Sequence, residues 1–149
     1  MKGPSGPAER GAPRPSGPAE RGAPHPGVPA PRLVLVVDDD EMIRRLLRIV
    51  LEADEIEVVE AADGDAALAL LEDLKPTVIV LDVMMPGLDG VEVCRRIDHR
   101  TAKVVMLTAR DDPDLEVAAT KAGADAFLTK PFSSVELLDL VERLLQPTG

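Results

Sequence analysis

Residues 33–53 read LVLVVDDDEMIRRLLRIVLEA, and this stretch decides the fold. Its first five residues are apolar without alternation, as in a strand buried on both faces. Beyond the three acids, Ile43, Leu46, Leu47, Val50 and Leu51 fall at i, i+3, i+4, i+7 and i+8, a helical stripe with Arg44, Arg45 and Arg48 turned elsewhere. The spacing predicts a strand over 33–37 and a helix over 41–53. A buried strand that runs straight into an amphipathic helix is one βα unit, the module of a parallel sheet covered on both faces.

Four more such units follow. Strands are predicted over 57–61, 77–82, 103–108 and 126–129, and helices over 64–74, 90–98, 113–122 and 133–145. VIVL at 78–81 and VVML at 104–107 are again unbroken apolar runs, whereas the second and fifth strands are less apolar and are assigned to the sheet edges. Ala67, Leu70, Leu71 and Leu74 form the inward face of the second helix, and Pro76 stops it. Pro113 opens the fourth helix and Gly123 closes it. Ser133 and Glu136 make a capping box for the fifth. That last helix carries Val135, Leu137, Leu138, Leu140, Val141, Leu144 and Leu145 on more than one face, so part of its surface is available to a partner.

Ahead of this pattern, residues 1–31 hold nine of the 14 prolines and six of the 11 glycines, with almost no aliphatic side chains. PSGPAERGAP occurs at Pro4–Pro13 and again at Pro15–Pro24, a repeat of period 11. Such a segment cannot build a core and is expected to be a disordered, partly polyproline-like tail, with docking to a proline-recognising partner as the alternative. His25 belongs to it and is given no chemistry. Charge divides at the same boundary: residues 1–32 carry a net +3 and residues 33–149 a net −13. So acidic a domain suits a cation better than nucleic acid, whose phosphates need clustered Lys and Arg. One cysteine, Cys94, excludes an internal disulfide and reads as a small core residue beside Val91, Val93 and Ile97. No apolar run approaches the roughly 20 residues of a membrane span, and the amino terminus lacks the apolar stretch of a secretory signal, so a cytoplasmic protein is expected.

Asp38, Asp39 and Asp40 follow the first strand, and Asp82 closes the third. Open α/β sheets build their sites at the carboxyl ends of strands, where chain order reverses. Carboxylates sharing that space raise one another's pKa unless a cation neutralises them, and Mg²⁺ suits hard oxygen ligands. Capping of helix one remains an alternative use for the three acids, and Asp40, nearest the helix, is assigned only the cap. Thr108 ends the fourth strand and Lys130 follows the fifth, which brings a hydroxyl and an ammonium to the same rim. Separately they read as a strand residue and a solvated charge. Together with the acids they form a set suited to phosphoryl chemistry: a carboxylate nucleophile, a cation and a second point charge.

With those residues in place, the chain resembles the receiver domain of two-component response regulators over nearly all of 33–145. The segments VLVVDDDEMIRRLL, VIVLDVMMPGLDGVEV, VVMLTAR and GADAFLTKPFSSVELL carry the resemblance. It implies a doubly wound, flavodoxin-like α/β fold over 32–149, with five parallel strands in the order 2-1-3-4-5. It further implies a bacterial-type phosphorelay in which Asp82 is the phosphoacceptor. Mg²⁺ would be held by Asp39, Asp82 and the backbone carbonyl of Met84, with Asp38 contributing through water. Thr108 would be the switch hydroxyl, Lys130 the charge partner, and the Lys130–Pro131 peptide cis. Phe127 would be the switch aromatic, a plain core aromatic being its alternative. Met84 and Arg110 would stand beside the phosphoryl group and slow its hydrolysis.

The resemblance also implies a histidine kinase or histidine phosphotransfer protein as donor, with Arg44, Arg45, Leu47, Arg48, Leu51, Pro131 and Phe132 as candidate contacts; an ordinary solvated helix face is the alternative. Four residues follow Leu145. A stand-alone receiver is therefore expected to act by binding a downstream protein or relaying the phosphoryl group, without direct nucleic-acid binding, and with a phosphorylation-dependent dimer as a further outcome. A fragment of a longer regulator is the other reading. A scaffold that is never phosphorylated would usually lack an acid or the lysine, and none is missing. A haloacid-dehalogenase-type phosphatase would use Asp38 and Asp40 as D-x-D, but position 42 is methionine and Asp82 and Lys130 would be left without roles.

Overall fold

The computed structural model describes residues 32–109 and 112–146. The repeat-bearing segment 1–31, with His25, and Arg110 lie outside the described residues. Strand and helix alternate along the described chain: β1 Leu33–Val37, α1 Glu41–Glu52, β2 Glu57–Ala61, α2 Gly64–Leu71, β3 Val78–Asp82, α3 Gly90–Arg96, β4 Lys103–Thr108, α4 Pro113–Ala122, β5 Ala126–Thr129 and α5 Ser134–Leu145. The sheet runs β2-β1-β3-β4-β5 with every neighbouring pair parallel, the doubly wound order expected.

Strand composition explains that order. Every residue of β3 is buried, and β1 and β4 are buried except at their first residues, because helices cover both faces. β2 and β5, with only partial burial, take the edges. Alternation within each strand divides the core in two. Leu35, Val37, Ile79, Leu81 and Met106 meet Val93, Cys94 and Ala119 on the side of α2, α3 and α4. Val34, Val36, Val80 and Val105 meet Leu47, Leu51, Leu137 and Val141 on the side of α1 and α5. Cys94 lies in the first of these halves, and burial pushes its thiol up to about 11, so it is an inert core residue as expected.

Each helix starts on an oxygen-bearing cap: Asp40, Asp63, Asp89, Asp112 and Ser133 accept backbone N–H groups of their own first turns. Asp40 accepts from Met42, the capping role assigned to it. Two helices stop early. α2 ends at Leu71, although Leu74 still donates to the Leu70 carbonyl at 2.9 Å, and α3 ends at Arg96 because Ile97 turns extended at φ −80°, ψ 146°.

α1 corrects the reading of its own stripe. Leu47 and Leu51 are 0% exposed and pack beneath the helix, so they cannot serve as partner contacts. Leu46, expected inside, is 41% exposed and shares an outer face with Met42 and Ile49, at i, i+4 and i+7. The helix is thus apolar on two faces, and only one of them is covered by the sheet.

Candidate functional site

The rim of the sheet gathers the side chains named from the sequence. β1 and β3 are neighbours with Val37 opposite Leu81, so Asp38 and Asp82 leave adjacent strand ends. Carboxylate oxygens of Asp38, Asp39 and Asp82 all lie within 4.8 Å of one another. Asp38 and Asp82 are buried, whereas Asp39 is exposed. Lys130, just past β5, places Nζ 3.0 Å from Asp38 Oδ2 and 3.6 Å from Asp82 Oδ1. Backbone amides complete the carboxylate contacts: Asp40 N–H donates to Asp38 Oδ1 at 2.9 Å and Met84 N–H to Asp82 Oδ1 at 3.2 Å. Thr108 is buried at the end of β4, and its Oγ1 has no hydrogen-bond partner among the described residues. A buried hydroxyl without a partner costs about 1–3 kcal/mol, so this one can gain from an acceptor brought to the rim.

Electrostatics separate the two key groups. Burial, reinforced by the charge of Asp38, raises Asp82 from 3.8 to about 6, with Lys130 working against the rise. For Lys130, burial pulls the pKa down, but the hydrogen bond to Asp38 and the charges of Asp82 and Asp38 outweigh it and hold the ammonium above its ordinary value. Three carboxylates against one ammonium leave excess negative charge, presented by hard oxygens with no nitrogen or sulfur donor. That donor set fits a divalent cation of the Mg²⁺ kind, which is content with carboxylates and water.

The remaining predicted residues fall into place unevenly. Phe127 pairs with Met106 across β4 and β5 and is half-buried against the apolar cluster on the α2–α4 side. The Lys130–Pro131 peptide is cis, Pro131 is exposed, and Phe132 packs partly against the α1–α5 cluster. Met84 is 67% exposed. Arg45 is exposed beside Glu41, and Arg48 bridges Glu52 and Glu60. Arg44 turns inward to Glu60 and to the backbone carbonyl of Asp38, a contact that sequence spacing did not disclose. The outer stripe of Met42, Leu46 and Ile49 was also missed, although its spacing was there to read once the first stripe had been assigned.

Comparison with known proteins identifies the family and agrees with the fold. Residues 34–142 match the family model described as the response regulator receiver domain. The chain is 44% identical over 114 residues to the transcriptional regulatory protein ResD of Bacillus subtilis (strain 168), covering 76% of this chain and 48% of ResD. It is 45% identical over 121 residues to the response regulator MprA of Mycobacterium sp. (strain KMS), covering 80% of this chain and 53% of MprA. Among solved structures, the chemotaxis protein CheY4 of Vibrio cholerae superposes with a TM-score of 0.73 at 33% identity, covering 77% of this chain and 99% of that one. The chain spans about half the length of the curated relatives it matches. These findings overturn the expectation of no direct nucleic-acid binding, because relatives such as ResD are transcriptional regulatory proteins. The acidity of residues 33–149 describes the surface of one domain and carries no information about what the other half of such relatives does.

Proposed function

Because the chain belongs to the response regulator receiver domain family, we propose that it signals by carrying a phosphoryl group on the carboxylate of Asp82. The observation that supports this most directly is the Thr108 hydroxyl, which has no hydrogen-bond partner among the described residues and is buried on the same rim as Asp82 and Lys130. In the proposed reaction an Asp82 oxygen attacks the phosphorus of a phosphohistidine in a histidine kinase, a P–O bond forms, and the P–N bond to the donor breaks. Asp38, Asp39, Asp82 and the Met84 carbonyl would hold Mg²⁺, which when bound neutralises charge on the transferring oxygens. Lys130 acts as a second fixed charge, already held beside Asp82 by Asp38. The Thr108 hydroxyl then donates to a phosphoryl oxygen and gains an acceptor that it does not find among the described residues. Phe127, half-buried next to β4, repacks with it, and the surface of α4, β5 and α5, where Val117 and Val135 are exposed, shifts between two populations.

The donor docks on α1 and the loop after β5. Its apolar contacts are Met42, Leu46 and Ile49 in place of Leu47 and Leu51, with Arg45, Pro131 and Phe132 beside them. By likeness to ResD, the output read from this switch is control of transcription.

Incubation with acetyl phosphate and Mg²⁺ tests the proposal. The wild type gains the mass of one phosphoryl group, peptide mapping finds it on Asp82, and Asp82→Ala gains none. Equal uptake by both proteins, or uptake by neither, rejects it. Thr108→Val takes up the group but loses the accompanying amide-shift changes in α4, β5 and α5. In the resting state this variant is expected to be more stable than the wild type by roughly 1 kcal/mol, since it removes a buried hydroxyl that has no hydrogen-bond partner among the described residues. A full set of shift changes in Thr108→Val would remove the threonine from the switch.

A further inference from the structure

Arg44 leaves the solvated face of α1. Its side chain is only 15% exposed, and its guanidinium makes two directed hydrogen bonds: Nη1 donates to the backbone carbonyl of Asp38 at 2.7 Å and Nε donates to Glu60 Oε1 at 3.1 Å. Glu60, on the edge strand β2, also accepts from Arg48, and the two arginines hold its carboxyl below the usual carboxylate range. The fork is therefore anchored at its far end by a fixed anion.

The carbonyl so gripped belongs to the planar peptide that joins Asp38 to Asp39. With the flanking Cα atoms held by β1 and the start of α1, fixing its oxygen sets ψ of Asp38 and φ of Asp39, and with them the direction in which the Asp39 side chain leaves the backbone. Asp38 is well secured on its own account: its N–H donates to the Ala61 carbonyl at 3.2 Å, and its carboxylate holds the Asp40 amide and Lys130. Asp39 is exposed, so the peptide before it is what directs it toward Asp38 and Asp82. We infer that Arg44 is a positioning residue for the cation site, aiming Asp39 through the Asp38–Asp39 peptide while Glu60 braces it. This rests on the reading of Asp38, Asp39 and Asp82 as a Mg²⁺ site. A lysine could reach one of the two acceptors as a point charge but lacks the planar fork that spans both.

Mg²⁺ titration of the full chain by calorimetry tests this, since the chain has no Trp or Tyr for intrinsic fluorescence. Arg44→Met is expected to bind Mg²⁺ about tenfold more weakly, as when other groups that orient metal ligands are removed. Arg44→Lys, with its charge intact, is expected to bind roughly threefold more weakly. A bystander charge gives the opposite sign: removing a cation beside three acids tightens Mg²⁺ binding, and Arg44→Lys leaves it unchanged. Affinity in Arg44→Met equal to or tighter than wild type overturns the role of Arg44. If Arg44→Met does not fold, Arg44→Lys decides: wild-type affinity overturns the role and a threefold loss supports it. A wild type that binds no Mg²⁺ at all removes the cation site itself, and the proposed function fails along with this inference.

Discussion

Asp82→Asn is expected to lose phosphoryl uptake and, in metal-free buffer at pH 7, to be more stable than the wild type by on the order of 2 kcal/mol. The two effects share one cause. Burial and the neighbouring Asp38 carboxylate raise Asp82 from 3.8 to about 6, so ionising it costs the folded state more than the unfolded chain. Below about pH 3, well under the ordinary value of 3.8, the carboxyl is protonated in both states and the two proteins should unfold alike. As pH rises toward 6 the folded wild type binds more protons than the unfolded chain, and its stability falls; above 6 the whole penalty is present. A shift of about two units sets a ceiling near 3 kcal/mol, and the asparagine amide, which places donors near Lys130, returns part of it. Urea denaturation without added metal at pH 3 and pH 7 measures the difference. Mg²⁺ should narrow or reverse it, because ligand binding stabilises only the protein that retains all three carboxylates. A variant no more stable than the wild type at pH 7 would contradict the electrostatic picture of the rim.

Gly90→Ala should destabilise the domain by about 3 kcal/mol and weaken cation binding, although it adds a good helix former at the start of α3. A Cβ at this position would lie 2.2 Å from the Asp82 carbonyl oxygen and 2.8 Å from Val83 Cα, both backbone atoms that have no flexible end to swing aside. The Gly90 N–H also donates to the Val83 carbonyl at 3.0 Å, so α3 is stitched to the very residues that follow the strand end. The extra methyl must push helix and strand apart, and Asp82 moves with the strand. Gly87→Ala is the control. Nothing lies within 4 Å of a Cβ there, and only its φ of 76° resists the change, at a cost of about 1 kcal/mol. An unfolding free energy for Gly90→Ala within 1 kcal/mol of wild type would show that the contact is easily relieved.

What could be read from the sequence follows from which interactions are local. Unbroken apolar runs such as VIVL identify buried strands by themselves, and the acids at 38 and 82 sit at strand ends whichever way the helices pack. Thr108 and Lys130 could be assigned to the rim because their strands end beside them. Side-chain direction on a helix with two apolar faces is another matter. Leu46 and Leu47 are adjacent, equally apolar and separated by only one helical step, yet one is partly exposed and the other wholly buried. Only the position of the sheet and α5 beneath α1 decides between them. The same holds for Arg44, whose acceptor Glu60 lies on a different element, and for Gly90, whose neighbour is a strand end several residues upstream.

The division of the core by strand alternation has a consequence for signalling. Lys130 shares its parity along β5 with Leu128, and Asp38 shares its parity along β1 with Val36; both of those strand residues face α1 and α5. Thr108 shares its parity with Met106, which together with Phe127 faces the opposite layer, toward α4. The pleat therefore sorts traffic. In the proposed switch Asp38 and Lys130 are rooted on the flank of α1, where a donor would approach, and Thr108 and Phe127 on the flank of α4, while α5 belongs to the first flank and joins the two. If the proposed function holds, a substitution on the outer face of α1 is expected to change the choice of donor while leaving Thr108 and Phe127, on the far side of the sheet, undisturbed.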